Sequence, residues 1–302
     1  MGGFLLQKLL FIYNPTSGKG RVAEGLSAVL DVFTKHGWLT TAYPTQCRGD
    51  AARVARELAH DYDRIVCAGG DGTLSETVTG LMHTDDPPLL GYLPFGSTND
   101  CAVTLNLPTV PARAAAIAAG EGVPRPSDIG KLNGQPFVYV AAFGAFTNVA
   151  YATPQDLKNA FGHLAYVMEG IASLPTITPL HLRVEYDGQV LEDDFYFGMV
   201  TNALSIGGVK PPKIEAVVLD DGLFEVNLVK KPVNLADVAN GFQSLLSPTG
   251  PGSGSLIHLQ TSHLVITSET PIPWTLDGEY GGEHKVTEIE ICPRALTIIR
   301  GS

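Results

Sequence analysis

The sequence predicts two domains, an N-terminal α/β domain with a parallel sheet and a C-terminal antiparallel β-sandwich. Three observations support this. The chain has 302 residues, more than one hydrophobic core usually holds. Short apolar runs alternate with helix-spaced segments before residue 127, and strand-like runs joined by hairpin turns follow it. We therefore assign residues 1–126 to the first domain and residues 127–293 to the second.

The first domain is expected to alternate strands with helices. Its predicted strands are Lys8–Tyr13, Leu39–Tyr43, Ile65–Ala68 and Leu89–Leu93. Its predicted helices are one with an apolar face from Val22 to Phe33, then Asp50–His60, Thr73–Met82 and Pro111–Ala119. Ligands bind at the carboxyl ends of strands in such sheets. The segments that follow the strands should therefore meet at one edge: Asn14–Gly18, Thr45, Gly69–Thr73 and Gly96–Asn99.

The second domain is predicted to be mainly antiparallel. Asn133-Gly134 and Asp187-Gly188 are strong hairpin signals between strand-like runs. The predicted strands are Asp128–Leu132, Phe137–Ala142, Leu182–Tyr186, Val190–Phe197, Phe224–Val229, Leu256–Thr267, Pro273–Leu276, Val286–Ile291 and Ala295–Ile299. Helical inserts are expected at Gln155–Ala172 and Leu235–Leu246, with a flexible loop at Ser247–Ser255.

Composition narrows the function classes. The net charge of −11 argues against nucleic acid as a partner. No apolar run approaches the roughly 18 residues that cross a bilayer. The four cysteines have no paired spacing, which disfavours disulfides and a zinc site and fits a reducing cytoplasm. We expect a cytoplasmic protein whose contact with the inner face of the membrane is at most peripheral.

The turn Gly69–Leu74, with the sequence GGDGTL, is the most informative motif. A glycine turn between a strand and a helix brings the free amides and the positive dipole end of the helix to a phosphate group. Gly69, Gly70 and Gly72 remove side chains that would keep phosphates from the backbone, and they permit positive φ angles. Asp71 would repel phosphates unless a cation intervenes, which indicates Mg²⁺ or proton transfer. A solvated Gly-Asp-Gly turn explains the motif about equally well.

Two further loops have the same character. Asn14, Pro15, Thr16, Ser17 and Gly18 follow the first strand, and Lys19 or Arg21 would supply positive charge. This loop lacks the glycine spacing of a Walker A motif, and in isolation an ordinary turn at the start of a helix is the favoured alternative. Gly96–Asp100 is a second glycine-hydroxyl turn, in which Asn99 or Asp100 would also serve as an ordinary helix cap.

Two carboxylate turns lie in the second domain. The pair Asp220-Asp221 at a glycine turn suits Mg²⁺, although such a turn more often only joins two strands. Glu279 ends the segment Leu276-Asp277-Gly278-Glu279, where a carboxylate is a competent base for a hydroxyl proton. A hairpin with a solvated glutamate is the alternative.

Taken together, these motifs resemble those of the diacylglycerol kinase-like lipid kinase family, in its bacterial soluble form. The resemblance spans nearly the whole chain and includes Thr45. Its motifs are YNPTSGKG (13–20), GGDGTLSE (69–76), LPFGSTND (93–100), KNAFGHLAYVMEG (158–170), LDDGLFEV (219–226) and LDGE (276–279). NAD kinases share GGDGT, but they carry a later Asn-Glu pair that this chain lacks.

The resemblance implies a NAD kinase/diacylglycerol kinase-like fold with ATP in a cleft between the two domains, and a C-terminal return of residues 294–302 to the first domain. The ATP contacts it implies are Asn14, Pro15, Thr16, Ser17, Gly18, Thr45, Gly69, Gly70, Asp71, Gly72, Thr73, Leu74, Ser75 and Thr98. Glu279 would be the general base, and Asp71 would also be catalytic. Mg²⁺ would be held by Asp221 and by carbonyl groups near Val218 and Leu223, with a water link to Asp71.

The expected reaction is therefore the ATP-dependent phosphorylation of a lipid alcohol at a membrane surface, most simply diacylglycerol to phosphatidic acid. Phosphatidylglycerol, a sphingoid base or undecaprenol would fit the same ATP motifs, as would a NAD kinase-like activity. A catalytically inactive nucleotide- or lipid-sensing module is the alternative outside the enzymes. The family resemblance also allows a homodimer.

Overall fold

A computed structural model describes residues 7–144, 178–205, 217–231 and 256–302 of the chain. Internal contacts divide the chain into two units, Met1–Ile129 with Pro293–Ser302, and Gly130–Cys292. The predicted helical inserts (155–172 and 235–246) and the predicted loop (247–255) lie outside the described residues.

The first unit alternates strands with helices, as predicted. Its strands include β1 (Gln7–Tyr13), β2 (Trp38–Pro44), β3 (Arg64–Gly69) and β4 (Leu89–Pro94). Its helices are α1 (Arg21–Lys35), α2 (Asp50–Leu58), α3 (Asp71–Leu81), α4 (Asp100–Thr104) and α5 (Pro111–Ala116). Short 3-10 turns lie at Ser17–Gly20 and Ala59–Asp61, and a π-helical turn lies at Ile117–Glu121. No helix range was predicted for α4, although Asn99 or Asp100 was the alternative helix cap; Asn99 is the N-cap of α4, without a side-chain capping hydrogen bond.

The strands of this unit form the predicted parallel sheet in the order β2-β1-β3-β4. The central strand β1 buries four consecutive residues, Leu9–Ile12. Burial of a continuous apolar run is typical of a strand that is covered on both faces, because helices pack on each side of a parallel sheet.

Glycine sets two of the helix boundaries that matter here. Helix α1 ends two residues before Gly37, which takes the left-handed conformation (φ 85°) that residues with a Cβ avoid. Helix α2 begins after Gly49, whose φ is 81°. Each boundary therefore follows from a backbone conformation that glycine adopts at little cost.

The second unit is antiparallel. Its strands, with the two that extend into the first unit, are β5 (Val123–Leu132), β6 (Gln135–Phe137), β7 (Val140–Gly144), β8 (Leu180–Tyr186), β9 (Gln189–Thr201), β10 (Phe224–Lys230), β11 (Leu256–Thr261), β12 (His263–Leu276) and β13 (Glu279–Arg300). The order β11-β10-β9-β7-β12-β13 is antiparallel throughout, and β8 pairs with both β9 and β12. The C-terminal part of β13 pairs in parallel with β4 through Ile298 and Leu90.

The core of the second unit is rich in aromatic residues. Trp274 and Phe143 are fully buried and meet edge to face with ring centroids 4.8 Å apart. Phe137 and Phe224 stack at 5.6 Å. Both are geometries that aromatic rings favour, and each pair adds to the stabilisation from burial alone.

The strand predictions in this unit are corrected at four places. The predicted strand Phe137–Ala142 is interrupted, because the amides of residues 138–140 turn toward a carboxylate instead of a neighbouring strand. The predicted strand Leu256–Thr267 is two strands that part at Ser262, since β11 pairs with β10 while β12 pairs with β8 and β13. The separate runs Val286–Ile291 and Ala295–Ile299 belong to the single strand β13. The predicted strand Pro273–Leu276 is the C-terminal end of β12.

In the described ranges, no helix is both long enough and apolar enough to cross a membrane.

Candidate functional site

The structure brings the four predicted loops of the first unit together at the carboxyl edge of its parallel sheet. The amide of Asn14 donates to the carbonyl of Ala68 at 2.9 Å, and the amide of Thr45 donates to the carbonyl of Tyr13 at 2.9 Å. The amide of Phe95 donates to the carbonyl of Gly69 at 2.7 Å. These bonds join each loop to a neighbouring strand, so the predicted convergence is confirmed.

The first loop, Asn14–Gly18, is organised by the side chain of Asn14. Its Oδ1 accepts hydrogen bonds from the amide of Thr16 at 3.0 Å and from the hydroxyl of Thr16 at 2.8 Å. Gly18 has a φ of 62°, and a Cβ there would lie 2.7 Å from the carbonyl oxygen of Phe95. Arg21 donates from Nε to the carbonyl of Gly18 at 3.0 Å. A guanidinium group is thereby held beside the loop, whereas the Lys19 side chain lies outside the described part of the chain.

The second loop, which contains Thr45, is held by two carboxylates. Asp50 is buried at the start of α2 and accepts the amide of Gln46 at 2.9 Å. This bond lowers the pKa of Asp50, and hydrogen bonds from Arg53 and Tyr43 lower it further. Glu76 of α3 accepts the amide of Gly49 at 2.8 Å, so a side chain of the glycine-motif helix fixes the N-terminus of α2.

The glycines of the third loop act through close approach and not through unusual backbone angles. None of Gly69, Gly70 and Gly72 adopts the positive φ that glycine permits. A Cβ on Gly69 would overlap the side chain of Thr73. A Cβ on Gly70 would lie 3.4 Å from the Cα of Gly96. The third loop, Gly69–Thr73, therefore touches the fourth loop, Gly96–Asn99, through its backbone.

Gly72 differs from its neighbours. It lies in the first turn of α3, and a Cβ at this position would meet no described atom within 4 Å apart from its chain neighbours and the helix's own backbone. Glycine costs about 0.5–1 kcal/mol relative to alanine inside a helix. Packing does not require glycine at position 72, and open space at a helix N-terminus is what an approaching anion needs.

Asp71 links the third and fourth loops. Its carboxylate, 9% exposed, accepts the amides of Asp100 and Cys101 at 3.2 and 3.3 Å, and the hydroxyl of Thr98 at 3.4 Å. The amides at the start of α4 therefore partly offset the negative charge of this carboxylate. The catalytic role of Asp71 stays a prediction beside this positioning role.

The predicted ATP contacts that follow Gly72 in α3 are partly or fully covered. Thr73 is buried, and its amide donates to the carbonyl of Gly70 at 3.0 Å. Leu74 is fully buried, and its amide donates to the same carbonyl at 3.3 Å. Ser75 is partly exposed on the next position of the helix. Any contact of a ligand with Leu74 would thus be limited to its main chain.

In the second unit, Asp221 lies at an exposed turn before β10. Its Oδ1 accepts the amide of Leu223 at 3.0 Å, and Gly222 takes a φ of 77°. Val218 and Leu223, whose carbonyls are the other predicted ligands, are 47% and 36% exposed. The described ranges contain no cluster of three or more histidine, cysteine, aspartate or glutamate residues that could hold a metal ion. A metal here would bind one carboxylate, main-chain oxygens and water.

Glu279 begins β13 directly after the tight turn Asp277-Gly278, and its side chain is exposed. Asp277 is 4% exposed and takes a left-handed φ of 51°. Its carboxylate accepts three consecutive amides, from Val138 at 2.8 Å, Tyr139 at 2.9 Å and Val140 at 3.2 Å. The turn that carries Glu279 is therefore tied to the segment between β6 and β7.

Sequence reasoning missed the positioning residues. Glu76 is the last residue of the motif GGDGTLSE (69–76), and no role was predicted for it. A glutamate one helical turn beyond a glycine loop can nevertheless reach the terminus of a neighbouring helix. Asp277 stands in the same motif as Glu279, and no role was predicted for it. Its long-range partners, Val138–Val140, lie 137–139 residues away in the chain, and no local pattern reveals them.

Family models match both halves of the chain. A model described as the diacylglycerol kinase catalytic domain matches residues 8–132. A model described as the YegS C-terminal NAD kinase β-sandwich-like domain matches residues 140–300.

Individual relatives agree with the family models. A diacylglycerol kinase of Bacillus subtilis (strain 168) is 36% identical over 278 residues, covering 92% of this chain and 91% of that protein. A diacylglycerol kinase of Staphylococcus carnosus (strain TM300) is 38% identical, covering 90% and 88%. A solved structure from Bacillus anthracis str. Sterne, provisionally named a diacylglycerol kinase, superposes with a TM-score of 0.85 at 26% identity, covering 98% of this chain and 95% of that chain.

Proposed function

Because the chain belongs to the diacylglycerol kinase-like lipid kinase family, we propose that it transfers the γ-phosphate of ATP to the free hydroxyl of diacylglycerol. The hydroxyl oxygen bonds to the γ-phosphorus, the bond to the β,γ-bridging oxygen breaks, and phosphatidic acid and ADP result. The hydroxyl proton passes to a base. Phosphoryl transfer of this kind needs mainly positioning and neutralisation of charge.

One observation carries the nucleotide part of the proposal. Four loops meet at one sheet edge, and two of them approach so closely that a Cβ on Gly96 would lie 2.8 Å from the Cα of Gly70. Gly72 leaves the first turn of α3 open, and the Arg21 guanidinium lies beside the first loop. Helix amides, the helix dipole and a guanidinium group together favour an anion such as a triphosphate. The proposed ATP contacts are Asn14–Gly18, Thr45, Gly69–Ser75 and Thr98.

Mg²⁺ is the proposed metal, with Asp221 as its side-chain ligand. Mg²⁺ prefers oxygen ligands, keeps several waters and often takes only one or two carboxylates. The turn at Asp221 suits such an ion, because only Oδ1 of its carboxylate is engaged by the amide of Leu223 and the residue is exposed. The carbonyls of Val218 and Leu223 are the other proposed protein ligands. A bound Mg²⁺ would offset phosphate charge.

Glu279 is the proposed general base. Three amides anchor the neighbouring Asp277, and this holds the turn that presents Glu279 in one conformation. A base must be held in place to accept a proton at the moment of attack, and a rigid turn supplies this at little entropic cost.

The substrate test uses the purified full-length chain with labelled ATP and Mg²⁺. Diacylglycerol, phosphatidylglycerol, a sphingoid base and undecaprenol are presented separately in mixed micelles, with NAD as a soluble control. Thin-layer chromatography should show label in phosphatidic acid, and kcat/KM should be highest for diacylglycerol. Label in another lipid would support lipid kinase activity but would refute diacylglycerol as the substrate. Label only in NADP would refute lipid phosphorylation.

Peripheral membrane contact and dimerisation are proposals that follow from the lipid substrate and the family. Vesicle flotation with and without diacylglycerol tests the first, and sedimentation equilibrium tests the second. We expect flotation that depends on diacylglycerol and a mass above that of one chain.

A further inference from the structure

The side chain of Asn99, at the start of α4, carries a buried acceptor with no described partner. Asn99 is 9% exposed, and its Oδ1 makes no hydrogen bond within the described part of the chain. Leaving a buried acceptor unpaired is costly, and such groups are uncommon in folded proteins. An unpaired acceptor beside a ligand site therefore indicates that the ligand supplies the missing donor.

The orientation of the Asn99 amide is fixed by its other end. Nδ2 donates to the carbonyl of Gly96 at 2.9 Å. The reversed amide would set Oδ1 against that carbonyl, acceptor to acceptor, and would leave both amide hydrogens without this partner. The unpaired group at this position is therefore an acceptor.

Oδ1 lies beside the contact of the third and fourth loops. A Cβ on Gly96 would be 2.8 Å from Oδ1 of Asn99 and also 2.8 Å from the Cα of Gly70. The acceptor and the glycine motif thus border the same small space. Asn99 has a φ of 54°, a left-handed angle that asparagine tolerates better than most residues, and this angle directs the side chain back toward Gly96.

We propose that Oδ1 of Asn99 accepts a hydrogen bond from a substrate hydroxyl group. The inference rests on the proposed function, which puts ATP phosphates at these loops. Phosphate oxygens at neutral pH are mainly acceptors, so they do not satisfy Oδ1. The donor groups closest to a reacting phosphate chain are the ribose hydroxyls of the nucleotide and the hydroxyl of the lipid. Both present the same O–H chemistry.

The test compares Asn99→Gly with Asn106→Gly. Glycine keeps the left-handed backbone at both positions and removes the side chain. Asn106 is a matched control because its φ is 53° and its Nδ2 donates to the carbonyl of Ser302 at 2.9 Å, but its side chain is exposed. Thermal unfolding of both variants shows that each is folded.

The first arm measures kcat/KM with ATP, 2′-deoxy-ATP and 3′-deoxy-ATP. If Asn99 binds a ribose hydroxyl, removing that hydroxyl lowers kcat/KM of the wild type by roughly 5- to 100-fold and that of Asn99→Gly by less than about 2-fold. The Asn106→Gly variant should behave like the wild type.

The second arm measures inhibition by a diacyl-1,2-propanediol, which is diacylglycerol with hydrogen in place of the hydroxyl. If Asn99 binds the lipid hydroxyl, this analogue binds the wild type more weakly than diacylglycerol does, and the difference disappears in Asn99→Gly. Equal losses in wild type and Asn99→Gly for all analogues would overturn the proposal. A wild-type protein that phosphorylates nothing would instead refute the proposed function, and Asn99 would then have no substrate to bind.

Discussion

Replacing Asp277 by asparagine tests whether this carboxylate fixes the turn that carries Glu279. Asparagine fits the left-handed φ of 51° and keeps one oxygen as an acceptor. Its Nδ2 would replace either Oδ2, which accepts from Val138 at 2.8 Å, or Oδ1, which accepts from Tyr139 and Val140. In both orientations an amide hydrogen meets a backbone N–H, and the charge that strengthens the bonds is lost.

The expected loss of stability follows from these bonds. A hydrogen bond to a charged group contributes about 1.5–3 kcal/mol, and an unpaired buried donor costs about 1–3 kcal/mol. Allowing for overlap between the two, we expect a loss of about 2–4 kcal/mol. For a domain of this size, that lowers Tm by roughly 5–12 °C. Because Glu279 follows this turn, kcat should fall as well, with little change in KM for ATP.

Asp187→Asn is the matched control for this experiment. Asp187 occupies the same place in the Asp-Gly hairpin between β8 and β9, with a φ of 47°, but its side chain is exposed and its Oδ1 accepts only the hydroxyl of Thr261 among the described contacts. Asparagine keeps that acceptor, so the change should be within about 0.5 kcal/mol. Calorimetry on both full-length variants measures the difference. Equal Tm values for Asp277→Asn and Asp187→Asn would refute the anchoring role.

Three further predictions concern the site. Glu279→Gln should lower kcat by roughly 10²- to 10⁴-fold if Glu279 is the base. Glu283→Gln, at an exposed position of the same strand, is the control and should not lower kcat. Near-normal turnover in Glu279→Gln would show that Glu279 is not the base. Asp221→Ala should raise the Mg²⁺ concentration needed for half-maximal activity, and Asp220→Ala should change it less. If Asp221→Ala and the wild type need the same Mg²⁺ concentration, Asp221 is only a turn residue. Glu76→Ala should raise KM for ATP by roughly 2- to 10-fold at unchanged kcat, because the loop with Thr45 loses its anchor, and Glu76→Gln should restore it. A KM unaffected in Glu76→Ala would show that the anchor does not reach the nucleotide.

The parallel half of the fold was predictable because its signals are local. Buried runs such as Leu9–Ile12 and helix-spaced apolar residues such as Val22–Phe33 encode strand and helix directly. Convergence of the loops then follows from the topology of a parallel sheet. The short helix α4 escaped prediction, because its start depends on the carboxylate of Asp71, which lies 29–30 residues earlier.

For the antiparallel half, the sequence predicted the fold class but not where individual strands begin and end. The hairpins at Asn133 and Asp187 were visible, since Asn-Gly and Asp-Gly turns fix left-handed residues. The break between β6 and β7 was not, because it depends on Asp277, whose partners come from a distant part of the chain. For the same reason, the site motifs were recognised while the residues that hold them in place were not.

Gly72→Ala tests the central claim that the glycine motif binds ATP phosphates. The added methyl group meets no described side chain or neighbouring element within 4 Å, so alanine should stabilise α3 by about 0.5–1 kcal/mol. It would, however, occupy the space that the phosphates need. Gly25→Ala is the control, since Gly25 lies inside α1 and a Cβ there is equally unobstructed.

The decisive measurement is the affinity of both variants for a non-hydrolysable ATP analogue, determined by calorimetry together with Tm. We predict that both variants unfold at or above the Tm of the wild type, and that only Gly72→Ala loses affinity, by roughly 10-fold or more. Equal affinity in Gly72→Ala, Gly25→Ala and the wild type would contradict the claim that ATP phosphates lie against this turn.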